Sequence, residues 1–322
     1  MKEFYPSVTY YGIGEILKRY AKYPLFLPCP VAIQHGWSII PTAHDARCDV
    51  PENWYWSHWL EDQYRQQFDS INTRSIGAPF LYLLKLMKYS EIPDSQRKGS
   101  IVFPCHSSKL IDVDCDFEEY ADLLDKLPDE YKPITVCIYH LDRDKGLDKP
   151  FLKRGFKVVS NGNNLFETQF LTNFIANTHD KKYAFSNQMT SALLFASVMG
   201  LSSFFYGPEF RTKSEDPNYQ NLDYTNHHRK WETKYNKYFK FPNCSLEEQR
   251  RIAARELGME LLLSPFEMRW LLWRLTLDRK YLKLLARKVI DSTKYQVKKT
   301  FPLLYKIHLL LKKNTDKYLV QS

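Results

Sequence analysis

The sequence predicts an α/β protein with two Rossmann-like parallel sheets, one in each of two domains, and a helical C-terminal region. Residues 101–206 alternate short apolar runs with amphipathic stretches about four times and close on a last apolar run. Apolar strands that alternate with helices are typical of a parallel sheet covered on both faces. Residues 1–90 show the same alternation of strand-like and helix-like stretches with fewer elements. A chain of 322 residues with 44% apolar side chains is long and apolar enough for two domains.

The first domain is predicted over residues 1–90. Three short apolar runs there are candidate strands, and a helix-like stretch at Leu60–Phe68 separates the last two. The runs are Val31–Gln34, Trp54–Ser57 and Thr73–Ile76. The polar stretch Ser90–Ser100 contains Pro93 and Gly99 and is the expected linker to the next domain.

The second domain is predicted over residues 91–210, where the pattern of strands and helices is clearer than in the first. Its candidate strands are Ile101–Cys105, Ile134–Tyr139, Phe156–Ser160, Tyr183–Ser186 and Ser202–Tyr206. Four candidate helices lie between these strands. The first starts at the N-cap Asp116, and the others cover Lys149–Arg154, Leu165–Asn177 and Gln188–Met199. Gly200 ends the last helix. Ligands bind such sheets at the carboxyl ends of the strands, so the loops after these strands are the candidate site.

The C-terminal region is predicted over residues 211–322. Residues 207–243 are polar and rich in Tyr, and their apolar residues follow no period. Two helix starts follow, because Ser245 and Ser264 each precede a Glu by three residues, and Pro265 occupies the first helical position of the second.

Several classes of protein are disfavoured by composition. The six Cys form no CxxC pair, which disfavours structural zinc and a disulfide scaffold, so we expect buried reduced thiols. No run approaches the roughly 18–20 apolar residues of a spanning helix. The first residues lack the apolar core of a signal peptide, and a cytoplasmic location is the expectation.

The positive charge of the chain is concentrated near its C-terminal end. Between Arg269 and Lys317 there are 14 Lys or Arg and 3 Asp or Glu, while the whole chain carries only +9. The rest of the chain is nearly neutral, which argues against a protein that binds nucleic acid over its whole surface. Trp, Tyr, Leu and Ile at helical spacing among the charges favour a helix lying on anionic lipid. A packed helix with a solvated face and nucleic-acid binding are the alternatives.

Polar clusters follow three strands of the second domain. They are His106, Ser107 and Ser108; His140 and Asp142; and Ser186, Asn187, Thr190 and Ser191. Hydroxyls and free backbone N–H groups at a helix start suit a phosphate, and a His can donate to it. A plain helix cap is the alternative for the last cluster. We expect no metal site, because His44-Asp45 and His227-His228 show no ligand pattern.

His35 ends the first apolar run of the first domain, and Gly36 after it permits a sharp turn. A His there could face the crevice between the domains as a general base. A structural His beside Trp37 is the alternative.

Taken in order, these motifs form a pattern: His35-Gly36, then Gly77-Ala78-Pro79, a strand ending in His140, and the helix start at Thr190-Ser191. Over about residues 30–207 the chain resembles bacterial GT-B glycosyltransferases of surface polysaccharide biosynthesis, which build capsule and lipopolysaccharide. The sialyl- and Kdo-type transferases and their glycerol-phosphate relatives are the most similar group. The resemblance implies a GT-B-like fold, with the two domains facing a cleft.

The resemblance also implies site roles. In that group a His-Pro motif after a strand binds the donor phosphate, and His140 matches it with Leu141 in place of Pro. Thr190 and Ser191 match a second phosphate motif. The acidic base of the sialyl-type members has no clear counterpart, and the candidates are His35, Asp45 and Asp49.

The implied activity is metal-independent transfer of a sugar from a nucleotide-activated donor, a CMP- or NDP-sugar, to a glycan or lipid-linked glycan. No cofactor and no nucleic-acid partner is expected. The basic C-terminal helices would hold the enzyme at the inner face of the cell membrane. The alternatives are a glycerol-phosphate or polyol-phosphate transferase of the same fold, a non-catalytic nucleotide- or RNA-binding protein, and a scaffold protein.

Overall fold

A computed structural model describes residues 3–38, 41–215, 233–242 and 244–300, with the backbone alone at 291–298 and 300. The motif His227-His228 and the basic residues beyond 300 lie outside the described residues.

The first sheet is parallel and has three strands in the order β1-β2-β3. These are β1 (Val31–Ile33), β2 (Glu52–Tyr55) and β3 (Thr73–Ser75), which confirm the three predicted strands to within two residues. The predicted helix is α3 (His58–Gln67), which begins where the Ser57 hydroxyl accepts from the Leu60 N–H. Residues at the start of the chain add α1 (Pro6–Thr9) and α2 (Ile13–Ala21), which the sequence analysis missed because Gly12 precedes α2 in place of a polar cap.

The glycine-proline motif at the end of this unit has a packing role. Pro79 opens α4 (Pro79–Leu86) in its first turn, where a missing N–H costs nothing. Gly77 has a φ of 81°, and a Cβ there would lie 2.8 Å from the carbonyl oxygen of Gly258. The Ala78 N–H donates to the carbonyl of Leu257 at 2.8 Å. A C-terminal segment therefore passes directly against the end of the first unit.

The second sheet is parallel and has five strands in the order β7-β6-β4-β8-β9. The strands are β4 (Ser100–Val102), β6 (Ile134–Cys137), β7 (Lys157–Val159), β8 (Tyr183–Ser186) and β9 (Ser202–Phe205). All five predicted strands are present, and β8 has the predicted bounds. The helices between them are α5 (Phe117–Asp125), α6 (His140–Asp144), α7 (Lys149–Lys153), α8 (Phe170–Thr178) and α9 (Ser191–Val198).

The strand order of this sheet places a topological switch between β4 and β8. The chain moves outward from β4 through β6 to β7, then returns to the other side of β4 for β8 and β9. The connections after β4 and β8 therefore leave in opposite directions and open a crevice at the carboxyl ends of these strands. The polar clusters at residues 106–108 and 186–191 follow these two strands.

A small antiparallel ribbon was not predicted. It pairs β5 (Asp112–Cys115) with β10 (Phe210–Lys213), with Phe210 opposite Cys115. Within the aperiodic segment 207–243, residues 210–213 thus form a strand and residues 233–239 are helical. The sequences of the two strands, DVDC and FRTK, are mostly polar and not buried, so no apolar run marks either strand.

From residue 244 onward the structure describes three α-helices: α10 (Leu246–Glu256), α11 (Pro265–Thr276) and α12 (Arg279–Thr300). The two predicted caps are confirmed, and Ser264 forms a full reciprocal box with Glu267. α10 packs on α9, whereas α11 packs on α2. The Tyr23 hydroxyl lies 2.7 Å from that of Thr276, and Arg269 donates to the carbonyl of Ala21 at 2.7 Å.

One hydrophobic core joins the first parallel sheet, one face of the second sheet and the C-terminal helices, and it includes Ile33, Phe80, Ile101, Ile252 and Leu272. A second cluster covers the other face of the second sheet and includes Val102, Phe117 and Val136. The predicted α/β architecture, two Rossmann-like units with parallel sheets and a set of C-terminal helices, is confirmed. The proposed domain limits at residues 90 and 210 stay a prediction. In the described part of the chain no helix is both long and apolar enough to cross a membrane.

Candidate functional site

A cavity of about 350 Å³ lies between the two parallel sheets. The first unit contributes His35, Gly36 and Trp37 to its wall, and the second contributes the loops after β4, β6, β7 and β8. The cavity therefore includes the switch point of the second sheet, where the topology predicts a ligand. Of the predicted site residues, His35, His106, Ser108, Thr190 and Ser191 line it.

His35 forms a dyad with Asp45. Its Nδ1 lies 2.8 Å from Oδ1 and 2.9 Å from Oδ2 of Asp45, which is almost fully buried. Because Nδ1 is bonded to the carboxylate, Nε2 is the nitrogen that can face the cavity, which His35 lines. The His35 side chain is 32% exposed. Burial of the imidazole lowers its pKa, but the charge and hydrogen bond of Asp45 together outweigh burial, so the pKa of His35 is raised.

Asp45 is itself held in place through both its side chain and its backbone. The Tyr64 hydroxyl donates to Oδ2 at 3.4 Å, and the Asp45 N–H donates to the carbonyl of Thr42 at 3.1 Å. The Tyr55 hydroxyl donates to the Asp45 carbonyl at 3.2 Å. A carboxylate fixed in this way orients the imidazole and selects its tautomer. Asp49, the other acidic candidate, is exposed and pairs with Arg47 at 2.8 Å.

A second histidine stands beside the dyad. His44 stacks on Tyr10 with the ring centroids 5.1 Å apart, and its ring contacts that of His35 at 5.6 Å. Its buried Nε2 has no hydrogen-bond partner within the described ranges. Burial lowers the pKa of His44, opposite to the shift of its neighbour. Two adjacent imidazoles thus have pKa values pushed apart, a pattern that separates acid and base roles.

The opposite wall is the start of α9. The Thr190 hydroxyl accepts from the N–H groups of Ala192 and Leu193 at 3.1 and 3.4 Å, so the plain cap predicted as the alternative does form. The Ser191 hydroxyl accepts from the Trp37 N–H at 2.9 Å. This bond ties the loop after β1 to the helix start. The positive end of the α9 dipole and both hydroxyls remain at the cavity wall.

The loop after β4 forms a third side. His106 and Ser108 line the cavity, and the His106 ring contacts Tyr139 with centroids 4.5 Å apart. The Ser107 N–H donates to Oδ2 of Asp142 at 3.0 Å. Ser107 is buried, and its hydroxyl accepts from the N–H of Val113 at 3.2 Å. Asp142 and Ser107 thus position this loop and do not line the cavity.

Three further predicted residues lie behind the wall. Asn187 accepts from the Cys105 N–H at 2.8 Å and donates to the Pro208 carbonyl at 3.1 Å, so it ties three loops together. The buried Ser186 hydroxyl accepts from the Gln188 N–H at 3.2 Å. His140 opens α6, is 6% exposed, and does not line the cavity. Its buried Nδ1 has no hydrogen-bond partner in the described part of the chain, and burial lowers its pKa.

Several lining residues were missed by the sequence analysis. Tyr11 comes from the turn before α2, Tyr139 and Asn161 follow β6 and β7, and Gln188 follows β8. Tyr139 is the last residue of the predicted strand Ile134–Tyr139, and Asn161 carried a usable signal, since it comes just after the predicted strand Phe156–Ser160. Tyr11 did not, because its place depends on α2 packing across the cleft. Across the described ranges, no group of three or more His, Cys, Asp or Glu is placed to hold a metal ion.

Comparisons with known proteins give a fold-level likeness alone. No protein-family model matches the chain, and no curated protein matches it. Among solved structures it is similar to a UDP-GlcNAc 2-epimerase from Neisseria meningitidis bound to UDP-GlcNAc, at 9% sequence identity and a TM-score of 0.33. That alignment covers 74% of this chain and 61% of the epimerase chain.

Proposed function

We propose that the protein is a glycosyltransferase that moves a sugar from a nucleotide-activated donor to a glycan acceptor. One observation carries the proposal. The oriented imidazole of His35 and the N-terminus of α9 line the same cavity, at the switch point of the second sheet. A base and a phosphate-binding helix start in one cavity are the two parts that this reaction needs.

In the proposed reaction, Nε2 of His35 takes the proton of an acceptor hydroxyl as that oxygen attacks the anomeric carbon. The bond from that carbon to the phosphate oxygen breaks, and the nucleotide leaves with the bonding electrons. Ser191, Thr190, Ser108 and His106 line the wall where the leaving phosphate would gain charge. Positioned donors and a helix N-terminus can stabilise that charge without a metal ion.

Asp45 acts through His35 in this proposal. Its carboxylate is almost fully buried and bonded to Nδ1, so it orients the imidazole and stabilises the imidazolium that forms. Asp142 and Asn187 hold the loops that carry the phosphate-binding groups. His140 would serve the donor phosphate only if its side chain turned toward the cavity, and we retain it as a proposed site residue on the resemblance described above.

The proposed acceptor is a lipid-linked glycan of a bacterial surface polysaccharide, capsule or lipopolysaccharide. The enzyme would meet it as a peripheral protein at the inner face of the cell membrane, held there by the basic C-terminal helices. In residues 265–290 the side chains include seven Lys or Arg and two Asp or Glu, and such a surface is attracted to anionic lipid.

The first test is ligand-induced stabilisation. The purified protein is heated with CMP, CDP, UDP, GDP and dTDP, each with and without Mg²⁺. A nucleotide at 100 times its dissociation constant adds about 2.7 kcal/mol to the free energy of unfolding. We expect a shift with one nucleotide family, reduced in Ser191→Ala and kept in Asp116→Ala, a cap variant of α5 outside the cavity. No shift with any nucleotide contradicts the proposal.

A glycerol-phosphate or polyol-phosphate transferase is the second candidate, because its activated donor presents the same phosphate to the same wall. Product analysis separates the two: a glycosyltransferase releases the nucleotide and forms a glycosidic bond, whereas the second candidate forms a phosphodiester. A nucleotide-dependent shift without turnover of any donor would instead favour a binding or scaffold protein.

A further inference from the structure

We infer that an exposed aromatic stripe on α11, together with the loop after α2, docks the protein on an anionic lipid surface. The inference deepens the proposed membrane location and rests on it. It names the residues that contact lipid, and these include an N-terminal loop that was not part of the basic segment.

The aromatic stripe consists of Phe266, Trp270, Trp273 and Leu277. These positions are four, seven and eleven residues from the first, so they lie along one face of the helix. All four are exposed, from 42% for Trp273 to 73% for Phe266. The other face of α11 already packs into the core through Met268, Leu271, Leu272 and Leu275. The helix therefore buries one apolar face in the protein and presents a second one to solvent.

The loop after α2 extends this surface. Phe26 is 69% exposed and Leu25 is exposed beside it. The ring of Tyr23 contacts that of Trp273 with centroids 5.1 Å apart, which places the loop next to the stripe. Lys18 donates to the carbonyls of Leu25 and Leu27 at 3.2 and 3.1 Å, so the loop is held in shape from within. An ordered loop that exposes a Phe loses little conformational entropy when that ring enters a lipid surface.

The net charge of the segment that carries the stripe favours one partner. Basic residues outnumber acidic ones by seven to two over residues 265–290, and the Arg274 guanidinium lies 5.6 Å from the centroid of the Trp270 ring. Trp and Arg side by side suit the boundary between lipid headgroups and acyl chains. A second copy of the chain is the less favoured occupant, because a symmetric dimer would set this positive surface against itself.

The test is flotation of the full chain with phospholipid vesicles of pure phosphatidylcholine or of phosphatidylcholine containing phosphatidylglycerol. The test variant Phe266→Ser/Trp270→Ser changes two exposed side chains of the stripe. The control, Met87→Ser/Leu152→Ser, changes two exposed apolar side chains elsewhere. We expect binding to the anionic vesicles alone, weakened roughly tenfold or more in the test variant and unchanged in the control. Phe26→Ser should weaken binding severalfold in the same assay.

Three results would overturn the inference. They are no flotation with anionic vesicles, equal flotation of the wild type and the stripe variant, and equal loss in the control. A dimer that the stripe variant abolishes, without vesicle binding, would assign the surface to a second copy and also overturn it. Circular dichroism of each variant excludes unfolding as the cause of a loss.

The outcome is separable from that of the proposed reaction. Vesicle flotation needs no substrate, so a protein that turns over no nucleotide sugar can still show the expected lipid binding. Conversely, the stripe variant should keep its nucleotide-dependent thermal shift, because no stripe residue lines the cavity.

Discussion

The backbone N–H of Trp37 donates a hydrogen bond to the hydroxyl of Ser191 at 2.9 Å. The first residue belongs to the loop after β1 in the first unit, and the second is the first residue of α9 in the other. This contact fixes the distance between the His35 loop and the helix start that faces the proposed phosphate. The site is therefore assembled by the packing of two units and not by either one alone.

Ser191→Ala should lower both stability and nucleotide affinity. The variant removes the acceptor of the Trp37 N–H, which costs about 1 kcal/mol of unfolding free energy. Asp116→Ala, which removes the cap of α5, should cost about the same. Only the Ser191 variant should weaken nucleotide binding, measured by titration calorimetry. Equal nucleotide affinities in the two variants would mean that the hydrogen bond between Trp37 and Ser191 does not contribute to nucleotide binding.

His35→Gln should reduce kcat by about 10²–10⁴, the usual contribution of a positioned general base. In the wild type the reacting form is neutral, so the rate should rise with pH until His35 is deprotonated. Because the pKa of His35 is raised, this limb should lie above the ordinary value of 6.5. The measurement is a profile of kcat/KM against pH, which reports the pKa of the free enzyme. If the rate of the Gln variant still rises over the same pH range, the titrating group is not His35.

Asp45→Asn should leave the imidazole in place and remove the charge behind it. Burial then dominates, and the pKa of His35 should fall, which moves the rising limb of the pH profile to lower pH. We expect kcat to fall by about 10–100-fold as the base becomes weaker and loses its orientation. Nucleotide affinity should change little, since Asp45 does not line the cavity. A lower kcat with an unmoved limb would mean that Asp45 has a purely structural role.

The two histidines should affect stability with opposite dependence on pH. His35 has a raised pKa in the folded protein, so its contribution is present below the unfolded value and is lost as pH rises through the folded value. The difference in Tm between wild type and His35→Gln should thus be larger at about pH 5.5 than at about pH 8.5. His44 has a lowered pKa, so the contribution of its neutral form is lost as pH falls, and His44→Gln serves as the opposite control.

Gly258→Ala should be much more destabilising than Gly155→Ala. Both glycines have positive φ, 64° and 77°, so each substitution meets the left-handed backbone penalty of roughly 1–2 kcal/mol. A Cβ at Gly155 has nothing within 4 Å, whereas one at Gly258 overlaps the carbonyl oxygen of Trp56. Urea unfolding should show at least about 1 kcal/mol more loss for Gly258→Ala. Equal losses would mean that the backbone shifts there without cost.

The sequence predicted the elements with strong local signals and missed those that depend on distant partners. Apolar runs located every strand of both parallel sheets, and Asp116, Ser245 and Ser264 located helix starts. The ribbon of β5 and β10 stayed hidden because its strands are mostly polar and not buried, so no apolar run marks them. α2 stayed hidden because it starts after a glycine in the left-handed region.

The candidate site was predictable to the level of loops but not of side chains. Placing polar residues at the carboxyl ends of strands selected His35, His106, Ser108, Thr190 and Ser191, all of which line the cavity. That rule cannot say which way a side chain turns, so it also selected Ser107, Asp142 and Asn187, which position the loops from behind. The pairing of His35 with Asp45 depends on the fold of the loop between them.

The packing of α11 on α2 has a consequence for biosynthesis. The face of α2 that carries Tyr20 and Ala21 is completed by Leu263, Arg269 and the rest of α11. During synthesis the first unit leaves the ribosome before α11 has been made. Its face on α2 therefore stays uncovered until residue 276 leaves the exit tunnel. During that interval, chaperones would have to shield this nascent surface from other chains.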